Sequence, residues 1–223
     1  MKLLIFDTEC SGLIPKTSGN DLKNLPHIVQ LSWIMYNTKT KSYVENDFIL
    51  KIPILVPEDS TKIHGITNDI SDNGYDFSEI VDMFLNDIKK CDMLVAHNIQ
   101  FDLNMLEIEL SRINRWGDID LLFSKDIFDT MKQSVNVLKL PGKYGKYKFP
   151  RLSEVYIHFF GEMFENAHNA MGDIRATLKV YEKLNKSVVH ITTKSTKTDG
   201  FFLLEYDTEG AGSGAIIDQA GHI

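Results

Sequence analysis

Apolar positions along the chain fall into runs of two kinds, and the change from one to the other outlines the expected elements. Residues 2–7 (KLLIFD) form an apolar run too short for a helix and too bulky for a loop, which predicts a buried strand. The turn-forming pair Ser11-Gly12 follows it. Residues 28–36 (IVQLSWIMY) and 43–52 (YVENDFILKI) are rich in β-branched and aromatic side chains, and Asn37-Thr38-Lys39-Thr40 between them predicts a hairpin. The spacing then becomes helical: Ile80, Val81, Phe84, Leu85 and Ile88 recur at intervals of three and four behind Ser78 as a cap. Residues 93–96 (MLVA) read as a short strand, and a second amphipathic helix starting near Phe101 carries Met105, Leu106, Leu110 and Ile113. A brief strand is expected at 126–128, then a loop punctuated by Pro141-Gly142 and Gly145. Helices follow at 152–160, closed by Gly161, and around Ile174, Leu178, Tyr181 and Leu184. Strands first, then helices alternating with strands, predict an α/β fold with a mixed sheet covered by helices.

After residue 187 the pattern weakens. One strand is expected at 201–206, and 209–223 (EGAGSGAIIDQAGHI) is rich in Gly, Ala and Ser and predicts no element. The expected organisation is one main domain over 1–187 and a C-terminal extension over 188–223, with one strand and then a flexible tail. Apolar residues at 43% of the chain place it among chains that can bury a core. No run approaches the length of a membrane span, and the first apolar run meets Asp7 and Glu9 before a signal-peptide core is complete. A cytoplasmic protein is therefore expected. Cys10 and Cys91 form no CxxC pair and no zinc spacing with the histidines, so both read as reduced thiols.

A formal charge of -7 argues against a protein that simply coats nucleic acid, because affinity for phosphates comes from Lys and Arg. One segment runs the other way. Lys132, Lys139, Lys143, Lys146, Lys148 and Arg151 occur with no Asp or Glu between them. Tyr144 and Tyr147 are interleaved with the lysines, which fits either a strand-binding surface or a soluble loop.

Three short constellations carry the candidate chemistry. Asp7 and Glu9, two apart at the end of a strand, project from one face, and two carboxylates crowded there repel unless a cation lies between them. Alone, the pair also fits a solvated strand end. Asp102, in Ala96-His97-Asn98-Ile99-Gln100-Phe101-Asp102, lies just inside a helix that follows a strand, where the helix N-terminus favours its charge or where it merely caps. In His168-Asn169-Ala170-Met171-Gly172-Asp173 the spacing places His168 on a loop and Asp173 in the first turn of the next helix.

Together FDTECSG, AHNIQFD and HNAMGD closely resemble, in order and spacing, the three motifs of the DEDDh branch of the DnaQ-like proofreading-exonuclease superfamily, over roughly residues 1–186. Ile28-Val29-Gln30-Leu31 and Ile63-His64-Gly65-Ile66-Thr67 add to the resemblance. It implies a ribonuclease-H-like fold, a mixed five-stranded sheet flanked by helices. It implies a 3'-to-5' exonuclease of proofreading or repair type that releases nucleoside 5'-monophosphates from DNA 3' ends. Asp7, Glu9, Asp102 and Asp173 would hold two Mg2+, with Mn2+ as a substitute, and His168 would be the general base. Thr8, Gly12, Leu13, Asn98 and Phe101 would lie along the substrate, with Lys143, Lys146 and Lys148 holding the strand. His64 would contact the terminal nucleotide or serve structure alone. The expected partners are a single-stranded or frayed 3' DNA end and a DNA polymerase, with oligomeric state open. An RNA exonuclease of the same fold is the alternative, since no hydroxyl-reading element separates the two. An inactive polymerase-binding scaffold would be expected to lack at least one of the five residues, and all five are present. Many relatives carry Thr-Thr where this chain has Cys10-Ser11; both are small.

Overall fold

The computed structural model describes residues 1–15, 21–165, 167–185, 188–198 and 205–215. The first apolar run becomes strand β1 (Lys2–Cys10), whose Leu3, Leu4, Ile5 and Phe6 are all buried, as in a strand covered on both faces. β1 pairs antiparallel with β2 (Ile28–Asn37), and β2 pairs antiparallel with β3 (Tyr43–Ile49). On its other side β1 pairs parallel with β4 (Met93–Ala96), which pairs parallel with β5 (Asp126–Asp129). The resulting order, β3-β2-β1-β4-β5, is the expected mixed five-stranded sheet with β1 at its centre. β3 stops at Ile49, shorter than the 43–52 run predicted: the Leu50 amide still donates to the Val29 carbonyl of β2, but Leu50 also bridges to Tyr75 and the Lys51 amide donates to the Tyr75 carbonyl.

Helices α1 (Glu58–His64) and α2 (Asn68–Asp72) lie in a stretch for which the pattern predicted none. They are too short to display a periodic face. α3 (Phe77–Lys90) is the first predicted helix, capped by Asp76 and Glu79 in a capping box instead of by Ser78. Its Phe84 meets Phe6 and Trp33 edge-on, at ring-centroid distances of 5.8 Å and 5.2 Å. α4 (Ile99–Arg112) packs Leu103, Leu106 and Leu110 into the same core. α5 (Ile119–Phe123) precedes β5.

The basic segment is not wholly a loop. Its first part is α6 (Thr130–Leu138), begun by Asp129, whose Oδ1 accepts hydrogen bonds from the Met131 and Lys132 amides. α7 (Leu152–Phe160) ends at Gly161 in the left-handed conformation, and α8 (Ala170–Asn185) carries the last motif.

Helix α4 is fixed to the sheet by two buried carboxylates seven residues apart. Near its start, Asp102 Oδ1 accepts from the Thr8 amide (3.0 Å) and hydroxyl (2.7 Å) on β1. Near its end, Glu109 Oε1 accepts from the Ile28 amide (3.1 Å) that opens β2. Seven residues are about two turns, so both face the sheet. Arg112 completes the second fixing: it pairs with Glu109 at 2.7 Å and donates to the carbonyls of Leu22, Leu25 and Pro26.

Contacts divide the chain into two units, Met1–Tyr181 and Glu182–Ile223. The second contains an antiparallel pair, β6 (Val188–Thr198) and β7 (Glu205–Ala215). The extension thus holds two strands where one was expected, and β7 takes in 209–215, which predicted no element. Of the strand expected at 201–206, residues 201–204 lie outside the described residues, as does the end of the expected flexible tail. Thr-, Lys- and Gly-rich strands show no apolar alternation by which to find them. Among the described residues no helix is long and apolar enough to cross a membrane.

Candidate active site

The C-terminal end of β1 delivers the first carboxylates. Asp7 and Glu9 lie on one face, Thr8 turns the other way, and the pairing with β2 shifts register between Glu9 and Cys10, where β2 carries the extra residue Val29. Such bulges twist a strand and re-aim its end. Across from β1, α8 brings Asp173, and ligand oxygens of Asp7, Glu9 and Asp173 all lie within 4.8 Å of one another.

Asp102 is outside that set but close enough to raise the pKa of Asp7 and Glu9. Both Thr8 hydrogen bonds fall on its Oδ1, which leaves Oδ2 for another partner. The Thr8 hydroxyl is therefore committed to aligning a carboxylate and is not turned toward substrate.

The electrostatics are those of anions lacking counter-charge. Burial, then Asp102, Asp173 and Glu9, push the Asp7 carboxyl well above its ordinary range. Burial, then Asp173 and Asp102, push Glu9 to about 8. Burial raises Asp102 to about 7 against the Thr8 hydrogen bonds, and raises Asp173 to about 6 against the His168 amide and ring. Converging oxygens that resist carrying their charges suit hard divalent cations, so the residues present fit such ions. Burial, followed by the same carboxylates against a Thr8 hydrogen bond, also raises the Cys10 thiol, which makes it a poor nucleophile.

His168 lies two residues before α8 at φ 66, exposed, with its amide donating to Asp173 Oδ1 at 3.3 Å. The loop placement expected for it, and the first-turn placement of Asp173, match the structure. Asn169 caps the helix by accepting from the Gly172 amide. His97 meets a partner at both ring nitrogens: Nε2 lies 3.1 Å from the Pro150 carbonyl, which can only accept, and Nδ1 lies 2.9 Å from the Thr130 hydroxyl, which also reaches the Ala96 carbonyl. It ties the β4–α4 turn to the segment before α7.

Asn98 opens α4 in the left-handed conformation (φ 71), with its amide held by Asp129 Oδ1 at 3.0 Å. Asp129 and Thr130 were not singled out in the sequence. The signal was an Asp-Thr pair preceding a polar stretch, a cap whose tertiary role no local pattern reveals.

On the opposite flank, Leu13 is 82% exposed and Gly12 has open space where a Cβ would stand. His64 is buried; its Nδ1 accepts from the Ile66 amide, so the proton sits on Nε2, which has no hydrogen-bond partner among the described residues. Burial lowers its pKa, partly offset by the Cys10 backbone. Phe101 is half-buried. Lys148 pairs with Glu154 at 2.5 Å, whereas Lys143 and Lys146 flank the exposed Tyr144 in a turn closed by the Pro141–Tyr147 bridge.

The strand order and the carboxylates at the end of its central strand define a nuclease of the ribonuclease-H-like class. The chain belongs to the exonuclease family RNase_T, which matches residues 4–181, and is a hydrolase of the DnaQ-like 3'-to-5' exonuclease type. It is similar to the DNA polymerase III subunit epsilon of Rickettsia felis, with 27% identity over 205 residues, 89% of this chain and 82% of the relative. It is also similar to that subunit from Treponema pallidum, with 29% identity over 79% of this chain and 73% of the relative. The fold is shared with E. coli exonuclease I solved with a dT13 oligonucleotide, at a TM-score of 0.63 and 18% identity. That match covers 82% of this chain and 41% of exonuclease I. A 3'-exonuclease solved for its recognition of the 3' end of a histone mRNA stem-loop gives a TM-score of 0.61 at 13% identity, over 92% of this chain and 90% of the other.

Proposed function

We propose that this chain is a DEDDh-type exonuclease that removes nucleoside 5'-monophosphates from single-stranded or frayed 3' ends of DNA, in proofreading or repair. The carrying observation is the meeting of Asp7, Glu9 and Asp173 within 4.8 Å, with Asp102 beside them and His168 exposed on the adjoining loop. Asp7, Glu9, Asp102 and Asp173 would hold two divalent ions, Mg2+ or Mn2+. When bound, such ions polarise the scissile phosphate and neutralise charge on the leaving 3' oxygen. His168 would take the proton from the attacking water, as imidazole is the side chain whose ordinary pKa lies nearest neutrality. The Asp173 carboxylate holds the His168 backbone and so orients the base.

The terminal nucleotide would sit against Leu13, Gly12, Phe101 and the Nε2–H of His64, a buried donor in need of an acceptor. The strand would leave past Asn98 along a cleft of about 420 Å3 lined by His97, Phe149, Met163 and Phe164 as well as His168. Lys143 and Lys146 would meet phosphates there, and exposed Tyr144 and Phe149 would stack on bases. The two curated relatives described above are DNA polymerase III subunits, which favours DNA and a polymerase partner.

Digestion of matched 3'- and 5'-labelled DNA and RNA strands, with Mg2+, Mn2+ or EDTA, tests the reading. Mononucleotides released from DNA 3' ends only with metal are expected. Equal or faster cutting of RNA would transfer the assignment to an RNA exonuclease.

A further inference from the structure

Gln30 is the third residue of β2, 1% exposed, in the sheet interior where an amide must be matched on both sides. Its Nε2 donates to Asp47 Oδ1 at 2.7 Å, and Ser32 Oγ donates to the same oxygen at 2.6 Å. A carboxylate can only accept, so Asp47 settles which way the Gln30 amide faces: nitrogen toward β3, oxygen toward α8. That oxygen accepts from the Ala170 amide at 3.4 Å. Ala170 is the first residue of α8 and is fully buried, and its amide has no acceptor within its own helix.

The first turn of α8 carries Asp173, with His168 just before it. Of the neighbouring amides, Gly172 is met by the Asn169 side chain, Asp173 by the Asn169 carbonyl and His168 by the Asp173 side chain. Gln30 is the side chain that ties this turn to the sheet bearing Asp7 and Glu9. One turn further on, Arg175 forms a two-pronged ion pair with Glu45 of β3, so β3 grips α8 at two levels.

We propose that Asp47 and Gln30 are positioning residues: they set where α8 begins, and so hold Asp173 and His168 in register with Asp7 and Glu9. The relay rests on the exonuclease reading for its catalytic consequence but makes a separate claim about how the carboxylates are brought together. Gln30 stands opposite Glu9 in the β1–β2 pairing, but the side-chain hydrogen bonds of Gln30 and Asp47 run to each other, to Ser32 and to Ala170 and not to the carboxylates of the site. Their effect passes through the Ala170 amide.

The test exploits donor–acceptor polarity. Gln30→Glu sets a second carboxylate against Asp47. Adding Asp47→Asn restores the pairing with the roles reversed: the amide introduced at position 47 can donate to the carboxylate introduced at position 30 and still accept from Ser32. Four proteins, wild type, Q30E, D47N and Q30E/D47N, are compared at pH 8 for kcat and KM on a 3'-labelled oligonucleotide. Mn2+ binding is followed by electron paramagnetic resonance without substrate, and melting temperature is recorded in EDTA. Q30E is expected to lose about ten- to a hundred-fold in kcat with KM within about two-fold, and to need more Mn2+ for half-occupancy. The double variant is expected to recover most of both. Q30E with unaltered kcat and Mn2+ binding, or a double variant no better than Q30E, would overturn the relay. So would a loss of Mn2+ binding that merely tracks a fallen melting temperature. A wild-type chain without activity on any nucleic acid would sink the exonuclease reading alone, since the Mn2+ titration still reads the relay.

Discussion

Asp7 is the residue on which the repulsion converges, since Asp102, Asp173 and Glu9 all raise its pKa beyond the effect of burial. Its replacement should therefore separate function from stability. Asp7→Asn is expected to reduce nuclease activity to background in Mg2+ or Mn2+. In EDTA at pH 8 it should stabilise the protein by about 1–2 kcal/mol, because the folded state no longer has to bury an ionisable group crowded by three other carboxyls. Thermal melts beside activity assays check both halves. His168 differs: it is exposed and carries no core packing, so His168→Ala should leave the melting temperature unchanged while lowering kcat by about 10^2 to 10^4-fold. A drop in stability together with a small kinetic effect would mark it as a structural residue of the loop.

Among the elements, α4 and the turn before α7 make opposite demands. At the end of α4, Arg112 and Glu109 form a nearly buried pair whose guanidinium also gathers three backbone carbonyls. Among the described residues Arg112→Ala leaves Glu109 with His27 and the Ile28 amide alone, and should cost about 3 kcal/mol by urea unfolding. Lys143 and Lys146 carry no such structural duty. Replacing both with Ala should weaken single-strand binding and flatten its salt dependence by about 0.7 for each phosphate no longer neutralised. Lys148→Ala should change that slope less, because its partner is Glu154; equal slopes for all three would refute the division. The sequence could place the strands around the site because their residues are bulky and bounded by turns. It did not place α6, where Met131, Val135 and Leu138 do recur at helical spacing but lie in a basic stretch whose Pro141-Gly142 and Gly145 breakers read as a loop, nor the relay through Gln30, whose partners Asp47 and Ala170 are far away along the chain. The five central residues were legible because FDTECSG, AHNIQFD and HNAMGD occur together in one order; each motif alone also fitted a strand end or a helix cap.

For the whole molecule the same carboxylates make stability depend on pH in an unusual direction. Glu9 at about 8, Asp102 at about 7, Asp173 at about 6 and Asp7 raised as well all bind protons more readily folded than unfolded. These four carboxyls thus hold more protons folded than unfolded between about pH 4 and pH 8, so their contribution to stability falls as pH rises through that window, outweighing the opposite contribution of His64 and His97, whose pKa burial lowers. In EDTA the melting temperature is expected to be lower at pH 8.5 than at pH 5.5. Saturating Mn2+ should raise the value at pH 8.5 most, since a ligand that binds only the folded form stabilises it by mass action. A melting temperature in EDTA that climbs with pH would contradict the electrostatics of the site.

The two carboxylates that fix α4 also turn that helix into a ruler. Asp102 and Glu109 reach the sheet together only because two turns separate them, so a one-residue deletion anywhere in 103–108 would swing one of them about 100° off its strand. Sequence drift in this stretch can exchange side chains freely on the solvent face, but its length is quantised. Any domain built on the same contacts of α4 with β1 and β2 should keep the Asp-to-Glu interval even where every residue between them has changed.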